Sequence, residues 1–281
     1  MGYLSLYVLS SQPTLDILKP SRQPLLNATL HRSTNHRPPT TDPCIGHFRF
    51  LTLTLHTTPS YPSILSRLRS NPSTSILLDL GCCFGQELRR LLHDGAPAST
   101  LYGADLRPEF FDLGYELFRD GGPKTTGNGM KFIAADVFAP HSALDALDGR
   151  CDVVHASAFF HLFGLEKQKQ VARRVVRLLK WNGDASEGER PIVLGRHVGA
   201  VVAGEYEHST NEGGVMFRHN VESWREMWEG VGEELGMRFV VEGDLRTTDV
   251  FRVNNKDGEG REKEKEDAGI RQLWFCVTRM E

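Results

Sequence analysis

A short apolar run that reaches a carboxylate and breaks into a glycine turn constrains this chain more than any other stretch. It reads Ile76-Leu77-Leu78-Asp79-Leu80-Gly81-Cys82-Cys83-Phe84-Gly85-Gln86. Such a run predicts a strand buried on both faces of a parallel sheet. Behind the turn, Glu87-Leu88-Arg89-Arg90-Leu91-Leu92-His93 repeats its apolar positions at helical spacing. Strand, tight turn and helix make the first half of a nucleotide-binding βαβ unit. Glycines at 81 and 85 let the backbone approach a ligand where a Cβ obstructs it. An ordinary Gly-rich turn without a ligand is the competing reading of this stretch taken alone.

The spacing separates two cofactor classes. A dinucleotide fingerprint has G-x-G-x-x-G and an apolar residue where Asp79 stands, whereas here Cys83 replaces the middle glycine. A carboxylate at the mouth of the turn does nothing for a phosphate. It suits a cationic ligand that carries an amino acid, such as S-adenosylmethionine with its sulfonium and ammonium.

The chain alternates strands and helices from there on. Leu101–Asp105, Lys131–Asp136, Cys151–Ser157, Pro191–Gly195, Phe239–Gly243 and Gln272–Val277 read as further strands. Between them lie helices through Phe110 to Phe118, Leu165 to Lys180, and Trp224 to Leu235, the last capped by Asn220 and closed by Gly236. This order predicts an α/β fold, a seven-stranded mostly parallel sheet with helices on both faces. The tryptophans at 224 and 228 are expected in the core. Residues 196–219, rich in glycine, read as a long loop. Residues 1–42 are rich in Ser, Thr, Pro and Asn and are expected to be a disordered extension. The domain is expected over 43–281, with 254–267 a charged surface loop. The segment from Pro43 to Leu68 reads as short amphipathic helices that either lie across the cofactor mouth or pack on the sheet, the second being favoured.

Three of the strands carry a closing acid: Asp79, Asp105 and Asp136. In an open parallel sheet these ends face one crevice, where ligands bind. Asp105 falls 20 residues after Gly85, where a nucleotide site places the acid for ribose hydroxyls. One acid at the methionine end, one at the ribose and one at the adenine amino group describe a pocket for S-adenosylmethionine. Removing the Asp105 carboxylate is expected to cost binding and little folding.

These residues resemble a known family, the class I S-adenosylmethionine-dependent methyltransferases, and within it the fungal secondary-metabolite enzymes of the meroterpenoid type. Beside the double-cysteine turn, the resemblance rests on Pro43-Cys44-Ile45 with Phe48-Arg49-Phe50-Leu51 and on His93-Asp94-Gly95-Ala96-Pro97. It continues through Leu101-Tyr102-Gly103, Leu113-Gly114-Tyr115-Glu116-Leu117-Phe118-Arg119-Asp120, His161-Leu162-Phe163 and Phe217-Arg218-His219-Asn220-Val221-Glu222-Ser223. It implies a Rossmann-like fold and contacts to the cofactor from Asp79, Gly81, Cys83, Gly85, Asp105, Leu106, Asp136, Val137 and Ser157. It also implies O-methylation of a polyketide or terpenoid acid, with a methyl ester as product.

Methyl transfer from a sulfonium is an in-line displacement in which alignment supplies much of the rate. A carboxylic acid acceptor is already ionised at neutral pH, whereas a phenol benefits from a base. His155 and His161, which follow the fourth strand, are the first candidates for that base, ahead of His197 and His219. His-Ala-Ser-Ala at 155–158 offers no carboxylates for a metal, so none is expected. A net charge of −3 gives no footprint for nucleic acid or a membrane surface. Cysteines at 44, 82, 83, 151 and 276 form no C-x-x-C pair, and with no transmembrane run or signal peptide the expected location is the cytoplasm. The partner is a small molecule, and the sequence leaves the oligomeric state open. Two other classes remain: an NAD(P)-dependent oxidoreductase, and an interaction protein that keeps the fold without catalysis.

Overall fold

The computed structural model describes residues 45, 49–121, 129–181, 189–207, 214–247 and 269–280. The expectations for residues 1–42 and 254–267, and for Cys44, lie outside these. β1 (Leu77–Leu80), β2 (Leu101–Asp105), β3 (Lys131–Ala134), β4 (Val153–His155), β5 (Ile192–Ala200), β8 (Phe239–Arg246) and β9 (Ile270–Arg279) form one sheet. Its order is β3-β2-β1-β4-β5-β9-β8. β1 to β5 pair in parallel, and β9 enters antiparallel between β5 and β8. The order reverses between β1 and β4, which opens a crevice at their C-terminal ends.

Side-chain alternation divides the core. Leu78, Leu80, Val154, Ala156 and Val193 pack with α4 (Leu165–Leu178) and α5 (Val221–Leu235), where Trp224 and Trp228 are fully buried. Leu77, Val153 and Leu194 face the other way, onto α1 (Tyr61–Ser70) and α2 (Gln86–His93) through Ile64, Leu68, Leu88 and Leu91. A third cluster joins Ile45, Phe50 and Leu51 to Phe84 of the turn and to Phe110, Leu113 and Leu117 of α3 (Glu109–Phe118). Phe50 meets Phe84 edge to face at 4.8 Å between ring centroids. The segment before α1 therefore packs on the glycine turn as well as beside the sheet. Asn220 caps α5 by accepting from the Ser223 N–H, and Gly236 closes it in the left-handed conformation.

Two expectations change. The stretch 196–219 is not one long loop. β5 runs on to Ala200 because β9 lies antiparallel along all nine of its residues, from Ile192 against Thr278 to Ala200 against Ile270. A two-stranded sheet of β6 (Gly204–Glu207) and β7 (Val215–Arg218) follows. The partner strand satisfies the backbone groups of residues 196–200 that the loop reading left to solvent. Of the three acids, only Asp105 is the last residue of its strand: Asp79 precedes Leu80 within β1, and Asp136 lies two residues past β3.

Candidate active site

Asp79 and His155 are paired in the register of β1 and β4, and both are almost fully buried. His155 Nδ1 lies 2.8 Å from Asp79 Oδ1. Burial works against a charged imidazole, but the Asp79 charge and hydrogen bond outweigh it and hold the pKa of His155 above its ordinary value. Asp79 Oδ2 and His155 Nε2 are buried without a partner. A general base must reach the proton of its acceptor. At 1% exposure, with its ring turned to Asp79, His155 serves that carboxylate, which corrects its rank as first candidate base.

A second acid, missed in the sequence, stands beside this pair. Glu87 is the second residue of α2 and is 4% exposed. Its Oε1 accepts from the Thr54 N–H at 2.6 Å, the Leu55 N–H at 3.3 Å and the Thr54 hydroxyl at 3.1 Å. The Thr54 hydroxyl also lies 3.2 Å from Ser157 Oγ, just beyond β4. The segment around Thr54 thus spans the crevice from α2 to the end of β4. Glu87 Oε2 is buried without a partner. An acid in a first helical turn reads as a favourable dipole contact. The signal that could have separated it is its place on the buried stripe, one turn before Leu91.

The glycine turn is strained where the ligand expectation places contacts. Gly81 has φ +75° and Gly85 φ +69°. A Cβ on Gly81 would come 2.6 Å from the Phe159 ring, and one on Gly85 would come 2.7 Å from Phe132 of β3. Gly85 is thus needed for packing against β3, whatever else approaches it. Cys83 is also left-handed, at φ 50°, with its side chain buried among Phe50, Phe84 and Phe110. The Cys83 N–H donates to Asp105 Oδ2 at 2.9 Å, and the Arg107 N–H donates to Oδ1 at 3.1 Å. The Asp105 carboxylate therefore ties the turn to β2. Its removal costs structure as well as any ligand contact, which corrects the expectation that folding is indifferent to it.

Around this carboxylate the rim is apolar and open. Leu106 is 65% exposed, Val137 is half-buried against the core, and Asp136 is exposed with Oδ1 accepting from the Phe138 N–H. Half-buried Ser157 Oγ also lies 3.4 Å from the Arg196 N–H.

On the α4 and α5 side, three histidines gather near Trp224. The ring of His197 on β5 is 6.2 Å from that of His161, 6.4 Å from that of His219 and 4.8 Å from the Trp224 indole. Neither nitrogen of His197 has a partner, and it is 2% exposed. Burial, reinforced by the two neighbouring histidines, puts its pKa well below the ordinary value. His219 Nδ1 lies 2.9 Å from Ser223 Oγ, and burial pushes this group down to about 4. His161 is half-buried in a short 3₁₀ turn, Phe160–Leu162. Among the described residues, no group of three or more His, Cys, Asp or Glu is placed to hold a metal ion. Among the described residues, no disulfide joins the cysteines at 82, 83, 151 and 276.

This donor set fits a ligand with positive charge at one end and a diol at the other. Unmatched carboxylate oxygens sit beside the turn at Asp79 and Glu87, and a fixed carboxylate closes β2. A phosphate fits neither place. Sheet order and site together define a Rossmann-like fold of the class I methyltransferase type.

A family model described as a methyltransferase domain matches residues 77–183. The chain is 44% identical over 211 residues to O-methyltransferase phiE from Fungal sp., covering 74% of this chain and 66% of that protein. It is 40% identical over 200 residues to Methyltransferase adrK from Penicillium rubens, covering 71% and 67%. Among solved structures, it resembles the Burkholderia thailandensis 1,6-didemethyltoxoflavin-N1-methyltransferase, solved with S-adenosylhomocysteine. That match has a TM-score of 0.50 at 12% identity and covers 93% of this chain and 90% of the other. The chain belongs to the class I S-adenosylmethionine-dependent methyltransferases, in the same group as these fungal enzymes. It spans roughly two thirds of the length of the relatives it matches.

Proposed function

We propose that this chain transfers a methyl group from S-adenosylmethionine to an oxygen of a small secondary metabolite, a polyketide or meroterpenoid carboxylic acid that leaves as its methyl ester. The observation that carries this reading is the crevice above β1, β2 and β4. There a buried Asp79 oxygen lacks a partner and a fixed Asp105 carboxylate stands one strand away. When bound, the cofactor supplies an electrophilic methyl group. Asp79 takes its amino-acid end, beside Gly81, Cys83 and Ser157. Asp105, which also holds the Cys83 and Arg107 N–H groups, accepts from the ribose hydroxyls. Leu106 and Val137 flank the adenine, and Asp136 accepts from its amino group.

A carboxylate acceptor is ionised at neutral pH and needs no proton removed. That suits a site whose best-placed histidine, His155, is spent on Asp79. His161, half-buried in the turn after β4, remains the candidate base for a phenolic acceptor. The naming of the phiE relative as an O-methyltransferase supports oxygen as the methylated atom.

Isothermal titration with S-adenosylhomocysteine and with NADP, followed by transfer of labelled methyl to a panel of aromatic and terpenoid acids and phenols, tests this. Micromolar binding of S-adenosylhomocysteine and labelled, base-labile esters are expected. Tight NADP binding with none for S-adenosylhomocysteine would sink the reading in favour of an oxidoreductase. Binding of neither ligand would favour the interaction protein.

A further inference from the structure

Two buried carboxylates in this crevice have one imidazole between them. Both Asp79 and Glu87 act on the charge of His155, so all three share one electrostatic neighbourhood. Each acid is anchored by one oxygen only. Asp79 Oδ1 meets His155, and Glu87 Oε1 takes three donors from Thr54 and Leu55. The second oxygens, Asp79 Oδ2 and Glu87 Oε2, are buried and have no hydrogen-bond partner among the described residues. Among the described residues, neither acid forms an ion pair with a lysine or arginine. Arg196 opposes the charge on His155, and Arg90 and Glu87 act in opposite senses on His56. A buried carboxylate without a partner is costly, and such groups are matched by a cation or a set of donors. One cationic donor group with several N–H bonds satisfies both free oxygens, and an ammonium has three.

We propose that Glu87 is a second anchor for the amino-acid ammonium of the cofactor, shared with Asp79. Through its other oxygen it ties that contact to the Thr54–Leu55 segment that spans the crevice. This inference rests on the cofactor reading above. Glu87 is a positioning residue for the segment and a binding residue for the ligand, and the two roles fall on different oxygens. Glu87→Gln separates them, since its amide oxygen still accepts from Thr54 and Leu55 while the negative charge is gone.

The test is titration of the full chain with S-adenosylhomocysteine, which carries the ammonium, and with methylthioadenosine, which lacks the whole amino-acid end. Glu87→Gln should weaken S-adenosylhomocysteine about ten- to a hundredfold, the range of one charge-assisted hydrogen bond. Methylthioadenosine should bind as to the unaltered protein, within about twofold. The ligand-free melting temperature should hold or rise, because an unmatched buried charge is removed. Equal weakening of both ligands, or of neither, overturns the proposal. Should the variant melt below the assay temperature, the unaltered protein is compared with S-adenosylhomocysteine and its deaminated keto analogue. Equal affinity for those two overturns it as well. If the unaltered protein binds no S-adenosylhomocysteine, the cofactor reading itself has failed.

Discussion

His155 and His197 are the same residue type, at 1% and 2% exposure, on neighbouring strands of one sheet, yet they titrate in opposite directions. His155 faces the α1 and α2 side, where Asp79 waits at 2.8 Å, and is held toward its charged form. His197 faces the α4 and α5 side among His161, His219, Trp224 and Phe275, and is held neutral. Burial alone lowers both, and the neighbour decides the outcome. The α1 and α2 side thus sets a buried histidine beside a carboxylate, and the α4 and α5 side sets one among neutral rings.

The largest expected effect comes from breaking the charged side. Asp79→Ala leaves His155 buried without its counter-charge, which costs about 3–5 kcal/mol. Urea unfolding should show that loss. The His155 imidazole resonance should then titrate below its ordinary pKa, as His197 does. A variant that keeps its stability and its His155 titration would dissolve the contrast.

Acid sharpens the neutral side. In the folded chain His219 takes up a proton only near about 4, against 6.5 when unfolded. Between those values the unfolded state binds more protons, so stability falls as pH drops from 6.5 toward 4. At ~1.4 kcal/mol per unit this amounts to about 3 kcal/mol. His197 adds in the same direction. His155 runs the other way: its raised pKa contributes stability that is complete below 6.5 and lost as pH rises through its folded value. Denaturation midpoints across this range should therefore decline on the acid side, and His219→Gln should flatten the decline.

Asp105 lies on neither side, at the hinge between turn and β2, and its effect should be intermediate. Asp105→Ala should weaken S-adenosylhomocysteine about ten- to several-hundredfold. It should also lower the melting temperature, because the Cys83 N–H loses its acceptor. Asp105→Asn, which keeps an acceptor oxygen, should recover more stability than binding. Calorimetry and titration on the two variants separate the roles.

The smallest effect is expected at His161. His161→Ala should leave cofactor affinity within about twofold, with any loss confined to turnover of a phenol and absent for a carboxylic acid. A large drop in S-adenosylhomocysteine binding would move His161 to the cofactor side and redraw the comparison.

Much of this was legible because it is local. Ile76 to Gln86 specified strand, left-handed turn and helix within eleven residues, and Asn220, Ser223 and Gly236 marked both ends of α5. The apolar run before it set Asp105 at the end of β2. What the tertiary structure decided was long-range. The length of β5 depends on β9, whose pairing residues lie some 70 to 90 positions away, and glycine-rich sequence cannot announce a partner it has not met. The duty of Gly85 was set by Phe132 arriving from β3. His155 read as a base until β1 and β4 paired and set it against Asp79. Glu87 carried no role in the sequence beyond its place in a helix, and its burial was decided when Thr54 folded across it. A sequence records which groups can carry charge, but which of them are buried together is fixed only when distant strands come into register.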